Sequence, residues 1–166
     1  KRTVFLATQA RENRPYYYHE TIGYNYRLSN ICAGIGRGQM LVLDAHIARR
    51  RAIHKLYTEL FSDTEGIRVK QNPGSDYDAN FWLTCIEVEP SLCNGIRQYL
   101  EQHDIESRLL WRPMHMQPVF AQNVYYGNGV AEHIFNRGLC LPSGSSLTDE
   151  QIFEVASMIK IFCRSR

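Results

Sequence analysis

Residues 30 to 61 constrain the fold most, because their pattern predicts one long helix whose two halves differ. Ser29 or Asn30 can cap its start, since either side chain can accept a hydrogen bond from a free backbone N–H of the first turn. Such a helix is roughly 45–50 Å long, which exceeds the width of a small domain. Residues 31–36 are nearly all small or apolar and are predicted to be buried, whereas the second half is amphipathic. The predicted inward residues are Ile47, Ile53, Leu56 and Leu60, and the predicted outward residues are Arg49, Arg50, His54 and Lys55. The stretch therefore predicts a connector between two bodies.

Two motifs on this helix leave alternatives open. The run Gly34-Ile35-Gly36-Arg37-Gly38 lacks the preceding strand and the glycine spacing of a dinucleotide-binding turn, so that interpretation is rejected. Three glycines inside a helix cost roughly 2–3 kcal/mol relative to alanine, and either close packing against another helix or contact with a ligand must offset that cost. The run Arg49–Arg51 is typical of a solvated face, with phosphate binding as the second possibility.

Residues 13–27 precede the helix and carry five tyrosines without helical spacing, which predicts an extended loop. A loop so rich in tyrosine must pack on a ligand or on another chain. Its end, Gly23–Asn30, places an asparagine and an arginine just before a capped helix N-terminus, where free N–H groups favour anions. The residues alone leave an anion site and a loop-packing role both open.

Beyond Gly66 the pattern predicts a small α/β to α+β layer with an antiparallel or mixed sheet and helices on one face. The loop Trp111–Pro118 is stiffened by prolines on both sides of His115 and Gln117, which favours either a packed or a ligand-binding histidine. The predicted elements are a strand over 80–89, a helix from Ser91 to about His103, a strand over 105–111, a helix over 130–137 ended by Gly138 at a C′ position, a strand over 138–142, and a last helix opened by the capping box Thr148–Gln151.

Composition excludes several classes of protein. The length of 166 residues fits a globular domain, the net charge of +2 is too small for a typical nucleic-acid binder, and no apolar run is long enough to span a bilayer. Five scattered cysteines without C-x-x-C spacing predict buried, reduced thiols and no zinc or other metal site. The chain opens at Lys1 without an initiator Met or a leader, and a cytoplasmic protein is expected.

Several segments together resemble the C-terminal part of DegT/StrS-type sugar aminotransferases. Gly23–Asn30 resembles the family's G-[YF]-N-Y-R-[LM]-S-[ND] stretch, and Phe5–Asn13 resembles the helix before it. Arg112–Phe120 resembles the [KR]-P-M-H-x-Q-P loop, and Phe135–Ser145 resembles the E-R-G-L-C-L-P-S-G-S strand that precedes the last helix. The resemblance runs nearly end to end and in order. It implies the aspartate-aminotransferase fold, fold type I, and the cofactor pyridoxal 5′-phosphate (PLP).

The resemblance also implies roles for individual residues. Asn25 is expected to reach the PLP phosphate of the neighbouring subunit in a homodimer. Tyr26 and Arg27 are expected near the shared site as substrate-binding residues, with Arg27 a contact for an acidic substrate group. His115 and Gln117 are expected to border the nucleotide-sugar pocket. In their details, the last two motifs most resemble those of enzymes that act on UDP-linked 4-keto-6-deoxy-hexosamines.

One departure from the family pattern concerns catalysis. PLP-dependent transamination requires a lysine that binds the cofactor covalently and an acid that holds the pyridine nitrogen protonated. The four lysines, Lys1, Lys55, Lys70 and Lys160, lack the family's Ser-x-x-x-x-Lys context, so no catalytic residue is predicted in this chain and it is expected to be inactive alone.

The sequence thus predicts the tail of a large PLP-binding domain over 1–40 and a small C-terminal domain over 41–166. The parent enzyme is expected to transfer an amino group from an amino acid, glutamate being the expected donor, to a nucleotide-linked 4-keto sugar in polysaccharide or glycan biosynthesis. The alternatives are a non-catalytic nucleotide-sugar-binding or dimerisation module derived from that fold and an inactive aminotransferase-like regulator.

Overall fold

A computed structural model describes residues 1–165 and divides the chain into two compact units, Lys1–Leu43 and Asp44–Arg166. The helices are α1 (Arg2–Ala7), α2 (Asn30–Met40), α3 (Leu43–Leu60), α4 (Pro90–Glu101), α5 (Val130–Arg137) and α6 (Asp149–Arg164), and the strands are β1 (Arg68–Val69), β2 (Thr84–Glu87), β3 (Arg108–Leu109) and β4 (Gly138–Leu141). Two short 3₁₀ turns, Met114–Met116 and Pro118–Phe120, lie between β3 and α5. None of the helices among residues 1–165 has the length and hydropathy to cross a membrane.

The predicted connector is two helices. The Ser29 hydroxyl accepts from the Cys32 N–H at 3.2 Å, which confirms Ser29 as the cap of α2. At the other end, the N–H groups of Leu41 and Val42 bond three residues back, to Gly38 and Gln39, so the last turn tightens and α2 stops before α3 begins. No residue of α2 is buried within the described chain, contrary to the burial predicted for this half.

The second unit is built on a four-stranded antiparallel sheet with the order β1-β2-β4-β3. Ile86 of β2 lies opposite Leu139 of β4, and Cys85 lies opposite Cys140. Because side chains alternate along a strand, Ile86 and Leu139 point to one face of the sheet and the two cysteines point to the other.

The apolar face of the sheet carries the core. Helices α3, α4 and α6 supply the residues that cover it, among them Ile53, Ile96 and Ile159, each with no exposed surface. The capping box of α6 is present, with the Thr148 hydroxyl accepting from the Gln151 N–H and the Gln151 side chain accepting from the Thr148 N–H. The predicted layer of helices on one sheet face is thus confirmed.

Four details of the structure differ from the sequence prediction. Helix α4 starts at Pro90 with Glu89 as N-cap, not at Ser91, because a proline fits the first helical turn, where its missing N–H costs nothing. Gly138 is extended (φ −96°) and opens β4, so it is not a left-handed helix end. A Cβ there would lie 2.8 Å from the Ile134 carbonyl oxygen, which explains the glycine by close approach. Strand β1 has no counterpart in the prediction, and β2 is shorter than the predicted 80–89.

The polar residues of α3 also differ from the prediction. His54 is buried, because its Nε2 lies 2.9 Å from the Lys70 carbonyl oxygen and its ring stacks on Phe81 at 3.6 Å. The three consecutive arginines do not form a plain solvated face, since each guanidinium bonds to a different loop segment. Arg49 reaches Asp149 and the Leu147 carbonyl, Arg50 reaches the carbonyls of Trp82 and Ser143, and Arg51 reaches Asp78 and the Ala79 carbonyl.

Candidate functional site

The first group of candidate residues lies on the loop Gly23–Ser29, which the end of α1 holds in place. The Tyr24 N–H donates to the Leu6 carbonyl at 2.7 Å and the Tyr26 N–H to the Ala7 carbonyl at 3.0 Å. Asn25, between them, forms an isolated antiparallel bridge with Thr8. The backbone on both sides of Asn25 is therefore fixed by hydrogen bonds before its side chain meets any ligand.

Gly23 allows this loop to approach α1. A Cβ at that position would lie 2.3 Å from the Ala10 nitrogen and 2.3 Å from the Gln9 carbonyl carbon, so only glycine fits. Gln9 and Ala10 both have positive φ angles, 68° and 49°, which turn the chain sharply at the point of contact. The glycine of the motif is thus required by backbone packing rather than by a ligand.

The side chains of Asn25, Tyr26 and Arg27 are exposed. Tyr26 stacks on Tyr24, with ring centroids 5.2 Å apart. Neither the side-chain amide of Asn25 nor the guanidinium of Arg27 is hydrogen-bonded to a side chain among residues 1–165. Both groups can therefore bind a ligand. Asn25 also borders a surface cavity of about 450 Å³ together with His19, Glu20 and Gly23. An amide and a guanidinium held on a fixed loop can bind phosphate or carboxylate oxygens.

The second group lies in the other unit, where His115 sits within the first 3₁₀ turn. Its Nε2 lies 2.6 Å from Glu132 Oε1, and the Tyr125 ring stacks on the imidazole at 3.6 Å. Glu132 comes from the first turn of α5. His115 is therefore held on two sides, by a carboxylate and by an aromatic face.

The Glu132 carboxylate is stabilised in its charged form. The bond from its own backbone N–H lowers the pKa of Glu132, burial opposes this, and the hydrogen bond with His115 lowers the pKa further. Gln117 follows on the same loop, and its amide Nε2 donates a long bond of 3.4 Å to the Arg112 carbonyl. His115 and Gln117 were predictable from their loop motif, whereas Glu132 and Tyr125 were not, because 17 residues separate the histidine from its carboxylate partner and no spacing rule connects them.

Three of the four lysines make side-chain contacts within the chain. Lys55 pairs with Glu59 on the surface of α3, Lys70 Nζ lies 2.8 Å from Glu87, and Lys160 lies over the Phe61 ring at 6.0 Å. Among residues 1–165 no group of three or more histidine, cysteine or acidic side chains could hold a metal ion.

Comparison with known proteins gives the family. The model of the DegT/DnrJ/EryC1/StrS aminotransferase family matches residues 2–160. The chain belongs to this family.

Individual relatives agree with this assignment. EpsN of Bacillus subtilis (strain 168), named as a candidate pyridoxal phosphate-dependent aminotransferase, is 41% identical over 152 residues, which are 89% of this chain and 39% of EpsN. A GDP-perosamine synthase of Escherichia coli O157:H7 is 31% identical over 147 residues, 88% of this chain and 39% of the enzyme. The chain thus spans about two fifths of the length of these relatives.

The solved structures show the same fold. The aminotransferase TlmJ from Streptoalloteichus hindustanus superposes with a TM-score of 0.85 and 18% identity, covering 99% of this chain and 44% of TlmJ. The chain therefore has the fold of a C-terminal portion of these aminotransferases, as the sequence resemblance predicted.

A DegT/DnrJ/EryC1/StrS aminotransferase implies PLP, and the residues of this chain fit one end of that cofactor. Asn25 presents a side-chain amide on a fixed loop, a hydrogen-bond donor that suits the oxygens of the phosphate group. The described lysines are instead engaged by Glu59, Glu87 and Phe61 or stand at the start of α1.

Proposed function

We propose that this chain is the C-terminal portion of a PLP-dependent enzyme that transfers an amino group from an amino acid, with glutamate as donor, to a nucleotide-linked 4-keto sugar. The family match over residues 2–160 carries the proposal, and the names of the relatives support a sugar-nucleotide substrate. When bound, PLP supplies the electron sink that transamination needs. The residues of this chain bind and orient the cofactor and the sugar.

In this proposal Asn25 donates its amide N–H to the PLP phosphate of the neighbouring subunit of a homodimer. The hydrogen bonds of Tyr24 and Tyr26 to α1 keep the loop in one conformation, so little entropy is lost when the phosphate binds. Arg27 binds an acidic group of a substrate, and Tyr26 lies beside it against the shared site.

His115 and Gln117 border the sugar nucleotide. His115 uses Nε2–H for Glu132, which leaves Nδ1 to accept a hydrogen bond from a sugar hydroxyl. Glu132 and Tyr125 act as positioning residues, because they fix the imidazole plane from two sides.

The exposed apolar surface of α2 supports a portion of a larger enzyme over a stand-alone module. Ile31 is 77% exposed and Ile35 is 61% exposed, and a free-standing module would cover or replace such side chains. The four lysines of the chain lack the family's Ser-x-x-x-x-Lys context, so the chain alone is proposed not to transaminate.

The test is an assay of the holoenzyme that contains this chain, with a UDP-linked 4-keto-6-deoxy-hexosamine, the corresponding GDP-sugar, and glutamate. Mass spectrometry should detect the amino sugar and 2-oxoglutarate in equal amounts, with the UDP-sugar preferred. Asn25→Ala should release PLP on dialysis, whereas Asn13→Ala, on an exposed part of the loop, should retain it. Absence of both products, or equal PLP retention by the two variants, would contradict the proposal.

A second measurement separates the enzyme portion from the module. The 166-residue chain alone should bind UDP-sugar weakly or not at all by calorimetry, and borohydride reduction with PLP should label none of its lysines selectively. Tight UDP-sugar binding by the chain alone would favour the nucleotide-sugar-binding module.

A further inference from the structure

The face of the sheet opposite the core carries two cysteines that oppose each other directly. Cys85 on β2 and Cys140 on β4 are register partners, and their Sγ atoms lie 3.7 Å apart. Neither thiol is part of the proposed site for cofactor or sugar.

The hydrogen-bond pattern defines which kind of pair this is. The Val88 N–H donates to the Arg137 carbonyl at 2.9 Å, and this bonded pair lies three steps along the same ladder from Cys85 and Cys140. Bonded and non-bonded pairs alternate in an antiparallel ladder, so the two cysteines form a non-hydrogen-bonded pair, with Cα atoms about 4.5 Å apart. Disulfides form at Cα separations of roughly 4.4–6.8 Å, so side-chain rotation alone can bring the sulfurs into bonding distance.

The surroundings make the two thiols unequal. The hydrogen bond from Cys85 lowers the pKa of Cys140, burial opposes this, and the charge of Arg108 lowers it further. The same hydrogen bond and burial raise the pKa of Cys85, with Lys70 opposing. Cys140 is only 5% exposed, but it lines a surface cavity of about 370 Å³ bordered by the exposed rings of Trp82 and Trp111, and this cavity is the side from which a small reagent would approach its sulfur.

We propose that Cys85 and Cys140 form an oxidisable dithiol site that hydrogen peroxide converts into a cross-strand disulfide. The Cys140 thiolate attacks one peroxide oxygen, the O–O bond breaks, and water leaves after protonation, which oxidises Cys140 to a sulfenic acid. The Cys85 sulfur then attacks the Cys140 sulfur, the S–O bond breaks, and a second water leaves with the Cys85 proton. Two thiols and one peroxide yield one disulfide and two waters, and dithiothreitol reverses the oxidation.

The remaining cysteines lack this arrangement. Cys32 is exposed on α2, Cys93 is buried with its Sγ 3.5 Å from the Gly138 carbonyl, and Cys163 is half-buried on α6. No other two cysteine sulfurs among residues 1–165 are within hydrogen-bonding distance of each other, so the pair should be the one site at which an intramolecular disulfide forms.

The experiment exposes the full chain to hydrogen peroxide and counts free thiols by alkylation and intact mass. The count should fall from five to three with a mass loss of about 2 Da, and dithiothreitol should restore all five. The tryptic peptides 71–97 and 138–160 should be recovered cross-linked. Peptide 71–97 also contains Cys93, so Cys93→Ala makes the assignment to Cys85 unambiguous.

Matched variants complete the test. Cys85→Ala should abolish the cross-link, and Cys32→Ala should leave it intact. The cross-link is measured in the wild-type chain itself, so the test does not depend on whether a variant folds. The proposal is wrong if both thiols stay alkylatable at a peroxide dose that has oxidised the exposed Cys32, if Cys140 is recovered only as sulfinic or sulfonic acid, or if the linked peptides come from two different chains.

Discussion

The first unit of the chain carries the candidate cofactor contact, whereas the second unit carries the hydrophobic core. In Lys1–Leu43 the one buried residue is Ala10, and apolar side chains such as Leu28 and Ile31 are about three quarters exposed, at 75% and 77%. In the second unit a continuous core covers one face of the sheet. The Asn25 loop is therefore ordered by a few backbone bonds, whereas the His115 cluster belongs to a packed domain. Under the proposed function, the exposed apolar side chains of the first unit are covered by a part of the enzyme outside this chain.

The largest predicted effect contrasts one isoleucine from each unit. Ile159→Ala removes a fully buried side chain of α6 and should lower the free energy of unfolding by about 2–5 kcal/mol, because a cavity remains in the core. Ile35→Ala removes a side chain that is 61% exposed on α2 and should change it by less than about 0.5 kcal/mol. Urea unfolding followed by circular dichroism measures both.

Equal losses in the two variants would show that α2 is covered within this chain, and the contrast between the units would fail. A small loss of unfolding free energy in Ile159→Ala would show that Ile159 does not belong to the core.

The packed unit was largely predictable from the sequence, for a physical reason. Alternating apolar residues around Ile86, the capping box at Thr148 and the amphipathic last helix each encode local structure directly. The prediction failed where a tertiary contact overrides a local rule, as at His54, which packs on Phe81 instead of facing water. Strand β1 was missed because two residues are too short for any periodicity.

The candidate site was predictable only as far as its motifs extend. Asn25 and His115 stand in recognisable segments, and their burial, orientation and partners required the structure. Glu132 and Tyr125 reach His115 through chain folding, which one sequence does not encode as a pattern. The role of each site residue stays a prediction.

The next prediction tests how the first unit is held. Gly23→Ala would place a Cβ 2.3 Å from backbone atoms of Gln9 and Ala10, so the loop must move and its bonds to α1 should weaken by about 1–3 kcal/mol. In Gly34→Ala the new Cβ would have no neighbouring atom within 4 Å, so the change should stabilise α2 by up to about 1 kcal/mol. Hydrogen exchange at the amides of Tyr24 and Tyr26 should accelerate in the first variant alone. Unchanged exchange in Gly23→Ala would mean that the loop is not fixed by α1.

A further prediction concerns the exposed face of α2. The isolated chain should self-associate, since Ile31 and Ile35 leave apolar surface in water. The double change Ile31→Glu and Ile35→Glu should raise the dissociation constant about tenfold or more, roughly 1.4 kcal/mol, measured by sedimentation. Val119→Glu, at a 77% exposed position of the second unit, is the matched control and should leave association unchanged. A monomeric wild-type chain would contradict the prediction.

The smallest predicted effect on the free energy of unfolding concerns Glu87, and it should be confined to the second unit. Burial alone raises the pKa of Glu87, but the hydrogen bonds from Lys70 and Arg68, at 2.8 and 2.6 Å, outweigh it and hold the pKa below its ordinary value. A carboxylate whose pKa is lower in the folded state adds stability that is complete above the unfolded-state pKa of about 4.3 and is lost as the pH falls through the folded-state pKa.

The cations are partly exposed, so solvent screening limits this contribution to about 1 kcal/mol or less. Glu87→Gln should therefore flatten the fall in unfolding free energy between pH 5 and pH 3 slightly, whereas Glu154→Gln, exposed on α6, should preserve it. The exchange protection of Tyr24 and Tyr26 should be the same in both variants, because Glu87 belongs to the unit that has its own core. A parallel loss of protection in the Tyr24–Tyr26 loop would show that the two units unfold as one.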